Sequence, residues 1–99
     1  MFNKLKQVKD LRDKAKHLQN MLADEKVEGS AAWGKVKIQM NGNQQILNVD
    51  VDPELLKESE QNRLQDAIRD ACNDAVKKAQ RKMVEKMRAS GDLNVPGLT

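Results

Sequence analysis

The sequence is poor in the residues from which metal sites, disulfides and aromatic cores are built. Its 99 residues include one cysteine, one histidine, two prolines, no tyrosine and two aromatic residues, Phe2 and Trp33. A single cysteine cannot form a disulfide within the chain, as expected of a protein from a reducing cytoplasm. One cysteine and one histidine cannot build a His/Cys metal site within one chain. We therefore predict neither a metal nor a cofactor.

Long apolar runs are also absent. No stretch of about 18 apolar residues exists, so we expect no membrane span, and the charged N-terminus does not resemble a signal peptide. Hydrophobic residues make up 38% of the chain and charged residues 33%. One domain of this size has a thin core, which favours self-association.

Hydrophobic periodicity predicts an α+β chain with a long helix at each end. The first helix is expected over about 2–24, because apolar residues recur at intervals of three and four. These residues are Leu5, Val8, Leu11, Ala15, Leu18 and Leu22. A three-stranded antiparallel sheet is expected over about 26–52, with alternation in residues 35–40 and a hairpin turn at Asn41-Gly42-Asn43. Asp52 and Pro53 then suit the cap and first residue of a short helical turn.

The second long helix is predicted over about 59–89, with Ser59 as its N-cap and a loose tail over 90–99. Its apolar face comprises Leu64, Ala67, Ile68, Ala71, Cys72, Ala75, Val76, Ala79, Met83 and Met87. A helix this long should extend past the sheet. If the two helices pair antiparallel, the start of the first lies beside the end of the second.

Charge is unevenly distributed along the chain. Residues 1–49 carry nine basic and five acidic groups, residues 50–74 carry three and eight, and residues 75–99 carry six and two. The antiparallel arrangement would bring the two basic ends together, away from the acidic middle. Such basic patches are typical of nucleic-acid binding.

Patterns that suggest an enzyme lack residues or surroundings that the chemistry requires. Residues 29–35 have the spacing of a phosphate-binding loop, but Val36 replaces the required Ser or Thr, and a strand follows instead of a helix. We interpret this stretch as a flat Gly/Ala strand that lets another backbone approach. The pairs Asp50/Asp52 and Glu58/Glu60 lack an apolar pocket that would raise a carboxyl pKa. His17 is expected on a solvated helix face and Cys72 in the core, so no catalytic residue is assigned.

The basic run over residues 77–82, continued by Lys86 and Arg88, is the strongest chemical signal. No aromatic residue lies within it, which argues against readout of single strands and favours duplex phosphates with weak sequence preference. The residues predicted to contact DNA are Lys4, Lys6, Lys9, Arg12, Lys78, Arg81, Lys82, Lys86 and Arg88.

Six segments spread along nearly the whole chain resemble the YbaB/EbfC family of bacterial nucleoid-associated proteins. They are VEGSA (27–31), GKVKI (34–38), NGN (41–43), VDVDPELL (49–56), ACNDAVKKA (71–79) and LNVPGL (93–98). The resemblance implies a tweezer-like α+β homodimer in the cytoplasm and nucleoid that binds DNA through its terminal helices. It also implies a role in nucleoid organisation or gene regulation. Many relatives are glycine-rich after Ser30, where this chain has Ala31-Ala32-Trp33, and we expect Trp33 to pack in the core or in a dimer interface.

A second hypothesis is a scaffold whose helices dock a protein partner, such as a replication or recombination factor. It predicts a protein partner that survives nuclease treatment and little affinity for DNA at physiological salt. The sequence does not decide whether Leu5, Val8 and Leu11 face the second helix or another chain.

Overall fold

In the computed structural model, the chain forms a long helix, then a three-stranded sheet, then a second long helix. The structure describes the backbone of residues 2–90 and the side chains of residues 7–89. The elements are α1 (Phe2–Ala23), β1 (Lys26–Ala31), β2 (Val36–Asn41), β3 (Ile46–Val51) and α2 (Gln61–Ser90). The predicted α+β order is confirmed, whereas the predicted loose tail lies outside the described residues beyond 90.

The sheet is an antiparallel meander in the order β1-β2-β3. Val36 pairs with Val51 at one end of β2, and Met40 pairs with Ile46 at the other, across a register shift after Gln39. The side chains of Val36, Ile38 and Met40 are buried, as the predicted alternation requires. One face of β2 therefore forms the centre of the core.

Alanines at intervals of four let α2 lie close to this sheet. Ala67, Ala71, Ala75 and Ala79 are all buried, and α2 packs against β1 and β2. A Cβ atom built on Gly29 would collide with the carbonyl oxygen of Ala71 and the amide nitrogen of Ala75. The backbone approach expected of the Gly/Ala strand is therefore found at Gly29, while the strand itself ends at Ala31.

The turn between β2 and β3 anchors the end of α1. Buried Asn41 organises it, because Oδ1 accepts hydrogen bonds of 3.0 Å from the backbone N–H groups of Asn43 and Gln45. The amide of Gly42 donates to the carbonyl of Leu22 at 2.9 Å. A Cβ on Gly42 would lie 2.8 Å from the same oxygen. Glycine is thus needed here for space, while the positive φ of the turn, 62°, falls on Gln44.

The prediction that the start of α1 lies beside the end of α2 is wrong. Glu25, just after α1, contacts Lys86 near the end of α2, so the C-terminal ends of the two helices meet. From there α1 runs away from α2, and Val8 and Leu11 are exposed. The radius of gyration is accordingly 18.4 Å, against about 13 Å for a compact chain of 100 residues.

Of the two helix caps predicted between the sheet and α2, the first is confirmed and the second is wrong. Oδ1 of Asp52 accepts a hydrogen bond of 2.8 Å from the amide of Glu54 and caps the 3-10 turn Pro53–Leu56, as predicted. Ser59 is not the N-cap of α2. It lies inside a second 3-10 turn, Glu58–Glu60, which leads directly into the helix at Gln61.

The expectation that Trp33 packs in the core of its own chain is also wrong. Trp33 lies on the turn between β1 and β2 and is 98% exposed. The buried β2 side chains point towards α2, whereas the turn projects beyond the end of the strands. The alternative of a dimer interface stays a prediction.

Candidate nucleic-acid interface

The C-terminal half of α2 carries two rows of cations that differ in their contacts. Lys77, Arg81 and Arg88 recur at intervals of four and seven, so they share one face of the helix. They make no ion pair with any residue between 7 and 89. Lys77, Arg81 and Arg88 are all exposed. We call these three residues the open row.

The lysines of the second row, Lys78, Lys82 and Lys86, each have a partner within the protein. Nζ of Lys78 donates a hydrogen bond of 2.8 Å to the carbonyl oxygen of Glu28 on β1. Lys82 lies 3.6 Å from Glu85 within the helix, and Lys86 lies 2.8 Å from Glu25. We call this the paired row, because a phosphate would compete here with groups of the protein itself.

Contacts of the paired row shift the pKa of Glu25, Lys86 and Asp74. A hydrogen bond from Lys86 lowers the pKa of Glu25, and the same contact raises the pKa of Lys86. The backbone N–H of Ser30, followed by Lys78, lowers the pKa of Asp74. Lys86 is therefore firmly charged, but its charge is already partly balanced.

A shallow groove of about 430 Å³ runs along the open row. Its lining comprises Lys77, Gln80, Arg81, Val84, Glu85 and Arg88. The open row places three cations on one side of α2 over 11 residues, or roughly 16 Å of helix. Neighbouring phosphates of one DNA strand are several ångströms apart, so this spacing suits several phosphates of one duplex.

Acidic groups collect at the other end of the molecule. Glu60, Asp66 and Asp70 belong to the first turns of α2 or the 3-10 turn before it, and they pair locally with arginines. Arg63 lies 3.5 Å from Glu60, and Arg69 lies 3.0 Å from Asp70. Residues 58–74 carry five acidic and two basic groups, whereas residues 75–90 carry one acidic and six basic groups, so the positive charge of α2 is concentrated in its C-terminal half.

The predicted contact residues do not form one cluster. Lys78, Arg81, Lys82, Lys86 and Arg88 all lie on the last turns of α2. Lys9 and Arg12 are exposed on α1, and Lys9 precedes the end of that helix by about 21 Å. The side chains of Lys4 and Lys6 lie outside the described residues. DNA that contacts both helices must therefore span the molecule.

The residues predicted to contact DNA do not include Lys77, although it belongs to the basic run. The signal that identifies it is the helical interval, because Lys77 and Arg81 are four residues apart and share a face. The run alone does not separate Lys77 from Lys78. The separation depends on β1, which lies beside Lys78 and supplies its partner.

Side chains considered for other chemistry occupy ordinary positions. His17 is exposed on α1, and half-buried Cys72 packs against the core. Within residues 7–89, no three His, Cys, Asp or Glu side chains are placed to hold a metal ion. None of the helices described is long and apolar enough to cross a membrane.

The chain is similar to known proteins over nearly its whole length. Residues 1–92 match the model of the YbaB/EbfC DNA-binding family. The chain belongs to this family. A nucleoid-associated protein of Syntrophobacter fumaroxidans is 41% identical over 98 residues, which cover 98% of this chain and 89% of that protein. One of Dictyoglomus thermophilum is 40% identical over 91 residues, covering 92% and 88%.

The fold of the YbaB/EbfC chain also matches a solved structure. The crystal structure of the uncharacterized protein HP0035 from Helicobacter pylori superposes with a TM-score of 0.65 at 20% identity. The match covers 88% of this chain and 95% of that one. At this identity the likeness shows a shared fold, and the family assignment depends on the sequence matches.

Proposed function

We propose that the protein binds duplex DNA as a homodimer, mainly through phosphate contacts with weak sequence preference. In this role it contributes to nucleoid organisation and gene regulation. The observation that carries the proposal is the open row, in which Lys77, Arg81 and Arg88 are exposed and unpaired among the described residues. The family membership and the names of the relatives agree with it.

Phosphate contacts explain the chemistry of this surface better than base contacts. Cations displace the counterions condensed on DNA, and this gain does not depend on sequence. Reading a base in the major groove requires an element that fits the groove and presents several side chains to base edges. The row of three cations offers charge along a line, which suits the backbone of a duplex. Lys9 and Arg12 on α1 would add further contacts.

A second copy of the chain would cover an apolar surface beside β3. Ile46, Leu47 and Val49 are 52%, 48% and 51% exposed. Ile68 on α2 is 37% exposed. Val49 pairs with Ile38, and Ile46 with Met40, across the two strands, so burial under a second copy would add apolar area to a thin core. A homodimer would also double the number of open rows that reach one DNA molecule.

The scaffold hypothesis has one observation in its favour. Val8 and Leu11 on α1 are 56% and 67% exposed, and they lie on one face of the helix, where another helix could pack. The partner would be a protein that inserts an apolar helix face, such as a replication or recombination factor. Binding of that kind would depend little on the open row.

The test is fluorescence anisotropy of a labelled duplex of random sequence at several salt concentrations. The variant Lys77→Gln/Arg81→Gln/Arg88→Gln is compared with the unmodified protein. We expect log affinity to fall linearly with log salt, and the slope to decrease by about 0.9 for each phosphate that the variant no longer neutralises. The reduction should be equal for unrelated duplex sequences, because phosphate contacts do not read bases.

The matched control is Lys37→Gln/Lys57→Gln/Arg63→Gln, which removes the same charge away from the open row. It should retain most of the affinity and the original slope. Equal losses of affinity in both variants would mean that net charge, not the open row, determines binding. A folded dimer with no affinity at low salt would overturn the proposal and favour the scaffold.

A further inference from the structure

The only tryptophan of the chain is displayed on a strained turn. Trp33 is 98% exposed. Ala32, Trp33 and Gly34 have φ values of 52°, 59° and 82°, a left-handed conformation that costs about 1 kcal/mol for each residue with a Cβ. Glycine would remove this cost at positions 32 and 33. The chain instead keeps a large apolar side chain where neither burial nor backbone geometry within its own fold favours it.

The surroundings of Trp33 argue against DNA as its partner. The turn is tied to the acidic end of the molecule, since Nζ of Lys35 lies 2.7 Å from Oε2 of Glu54. The amide of Asp52 donates a hydrogen bond of 2.7 Å to the carbonyl of Lys35. The open row begins at Lys77, whereas β1 already meets Ala71 at Gly29, before it reaches the turn. Trp33 thus lies at the opposite end of the sheet from the open row.

The chain carries an apolar surface that is free to receive this side chain. Ile46, Leu47 and Val49 are about half exposed along β3, and β3 is an edge strand of the sheet. From this pairing of an unburied indole with an unburied strand we infer that Trp33 of each protomer packs on β3 of a second copy. The inference rests on the proposed homodimer and names a specific contact within it.

The position of the turn fits two-fold symmetry. Val36 begins β2 just after the Trp33 turn and pairs with Val51, so the turn lies at the Val51 end of β3. In a symmetric interface centred on β3, the Val51 end of one strand faces the Ile46 end of the other. Trp33 would then contact Ile46 and Leu47 of the second copy, and the reverse contact would follow by symmetry.

The area involved is a substantial part of a dimer interface. A fully buried aromatic side chain removes about 150–250 Å² from water. Two such side chains, with the apolar surface they cover, supply several hundred of the roughly 1,600 Å² in a standard interface. Tryptophan is also among the residues that most often dominate binding energy. Trp33 therefore anchors the two protomers at both ends of the interface.

The native chain contains the probe needed to test this, because its fluorescence comes from Trp33 with no tyrosine present. Emission and acrylamide quenching are followed on dilution, alongside analytical ultracentrifugation. We expect a blue-shifted, poorly quenched indole in the dimer and a red-shifted, readily quenched indole in the monomer. Both transitions should share one midpoint.

Two variants separate the contribution of the indole to dimerisation from any effect of backbone strain in the turn. Trp33→Gly suits the positive φ, so the monomer should fold, and its dimer dissociation constant should rise by about 100-fold or more. Ala32→Gly relieves strain at the neighbouring position but keeps the indole. Its dissociation constant should stay within about threefold of the original.

The outcomes distinguish the inference from the proposal beneath it. A chain that is monomeric at all concentrations would overturn both the homodimer and the Trp33 contact. A dimer whose indole remains red-shifted and readily quenched would overturn the contact alone. The same holds if Trp33→Gly dimerises as tightly as the original chain. Quenching protection that appears only when DNA is added would assign Trp33 to DNA and contradict the inference.

Discussion

Nζ of Lys86 lies 2.8 Å from Oε1 of Glu25, and this ion pair joins the last turns of α2 to the residue just after α1. The other described polar links at this junction are backbone hydrogen bonds and the contact of Asn43 Nδ2 with the carbonyl of Gln19 at 2.8 Å. Leu22 is the buried apolar anchor. The direction of α1 is therefore set by few contacts, all at one end of the helix.

Loss of the ion pair should loosen the direction of α1 without unfolding the protein. In Glu25→Gln we expect a broader distribution of distances between spin labels on α1 and α2, measured by double electron–electron resonance. Glu85→Gln is the control, because Glu85 pairs with Lys82 inside α2 and should leave the distribution unchanged. An unaltered distribution in Glu25→Gln would show that Leu22 and the turn suffice.

The same pair should respond to pH with a defined sign. The hydrogen bond from Lys86 lowers the pKa of Glu25, so the stabilisation is present above the usual glutamate range and is lost as the pH falls through the lowered value. The raised pKa of Lys86 means that it is also lost at strongly alkaline pH. The distribution of spin-label distances should therefore be constant near neutrality and broaden as the pH falls through the lowered pKa of Glu25. Glu25→Gln should show neither change.

Gly29→Ala should be among the more destabilising single-methyl changes in this chain. The added Cβ meets backbone atoms of Ala71 and Ala75, so β1 and α2 must separate, at a cost of about 3 kcal/mol. Gly34→Ala is the comparison, since its Cβ finds the nearest atom, Lys37 Cε, at 3.7 Å and its positive φ costs about 1 kcal/mol. Urea unfolding at one protein concentration measures both. Equal losses of stability would contradict the close-approach argument.

Asp74→Ala should weaken the attachment of β1 to α2. Its Oδ2 accepts a hydrogen bond of 3.1 Å from the amide of Ser30 and lies 3.1 Å from Nζ of Lys78. We expect a loss of about 1 kcal/mol and faster amide exchange at Ser30. Because the pKa of Asp74 is lowered, its contribution is present at neutral pH and is lost as the pH falls through that lowered value. The difference from the unmodified protein should shrink in strong acid.

Neutralising the paired row should affect DNA binding less than neutralising the open row. In Lys78→Gln/Lys82→Gln/Lys86→Gln each cation removed already has a partner in the protein, so less phosphate attraction is removed per charge. The salt dependence of affinity, compared with that of Lys77→Gln/Arg81→Gln/Arg88→Gln, measures this. A larger change for the paired row would mean that DNA phosphates replace the protein acceptors of these lysines, the carboxylate of Glu25 and the backbone carbonyl of Glu28.

Local pattern was enough to predict the elements of this fold. Alternation in β2, the Asn41-Gly42 turn and the Asp52-Pro53 cap each depend on neighbours in sequence, and the structure confirms all three. The predicted N-cap of α2 is wrong because Ser59 has the right chemistry, but the backbone there continues a 3-10 turn.

Relations between distant segments were harder to predict. The direction of α1 relative to α2 depends on the contacts of Leu22 with Gly42 and of Glu25 with Lys86, which hydrophobic periodicity does not predict. The exposure of Trp33 was equally hard to predict, because an isolated aromatic residue suggests burial, and the sequence does not reveal the conformation of the turn that exposes it. The division of cations into an open and a paired row likewise required the position of β1 beside Lys78.

Asp74 and Lys78 on α2 prevent a further strand from adding to the outer edge of β1. They occupy the outward N–H of Ser30 and the outward carbonyl of Glu28, so an incoming strand finds this margin blocked. The opposite margin, β3, has no such cover among the described contacts. If a second copy adds its β3 to this edge, both outer edges of the joined sheet are blocked, so we expect assembly to stop at two chains and not to continue into fibrils.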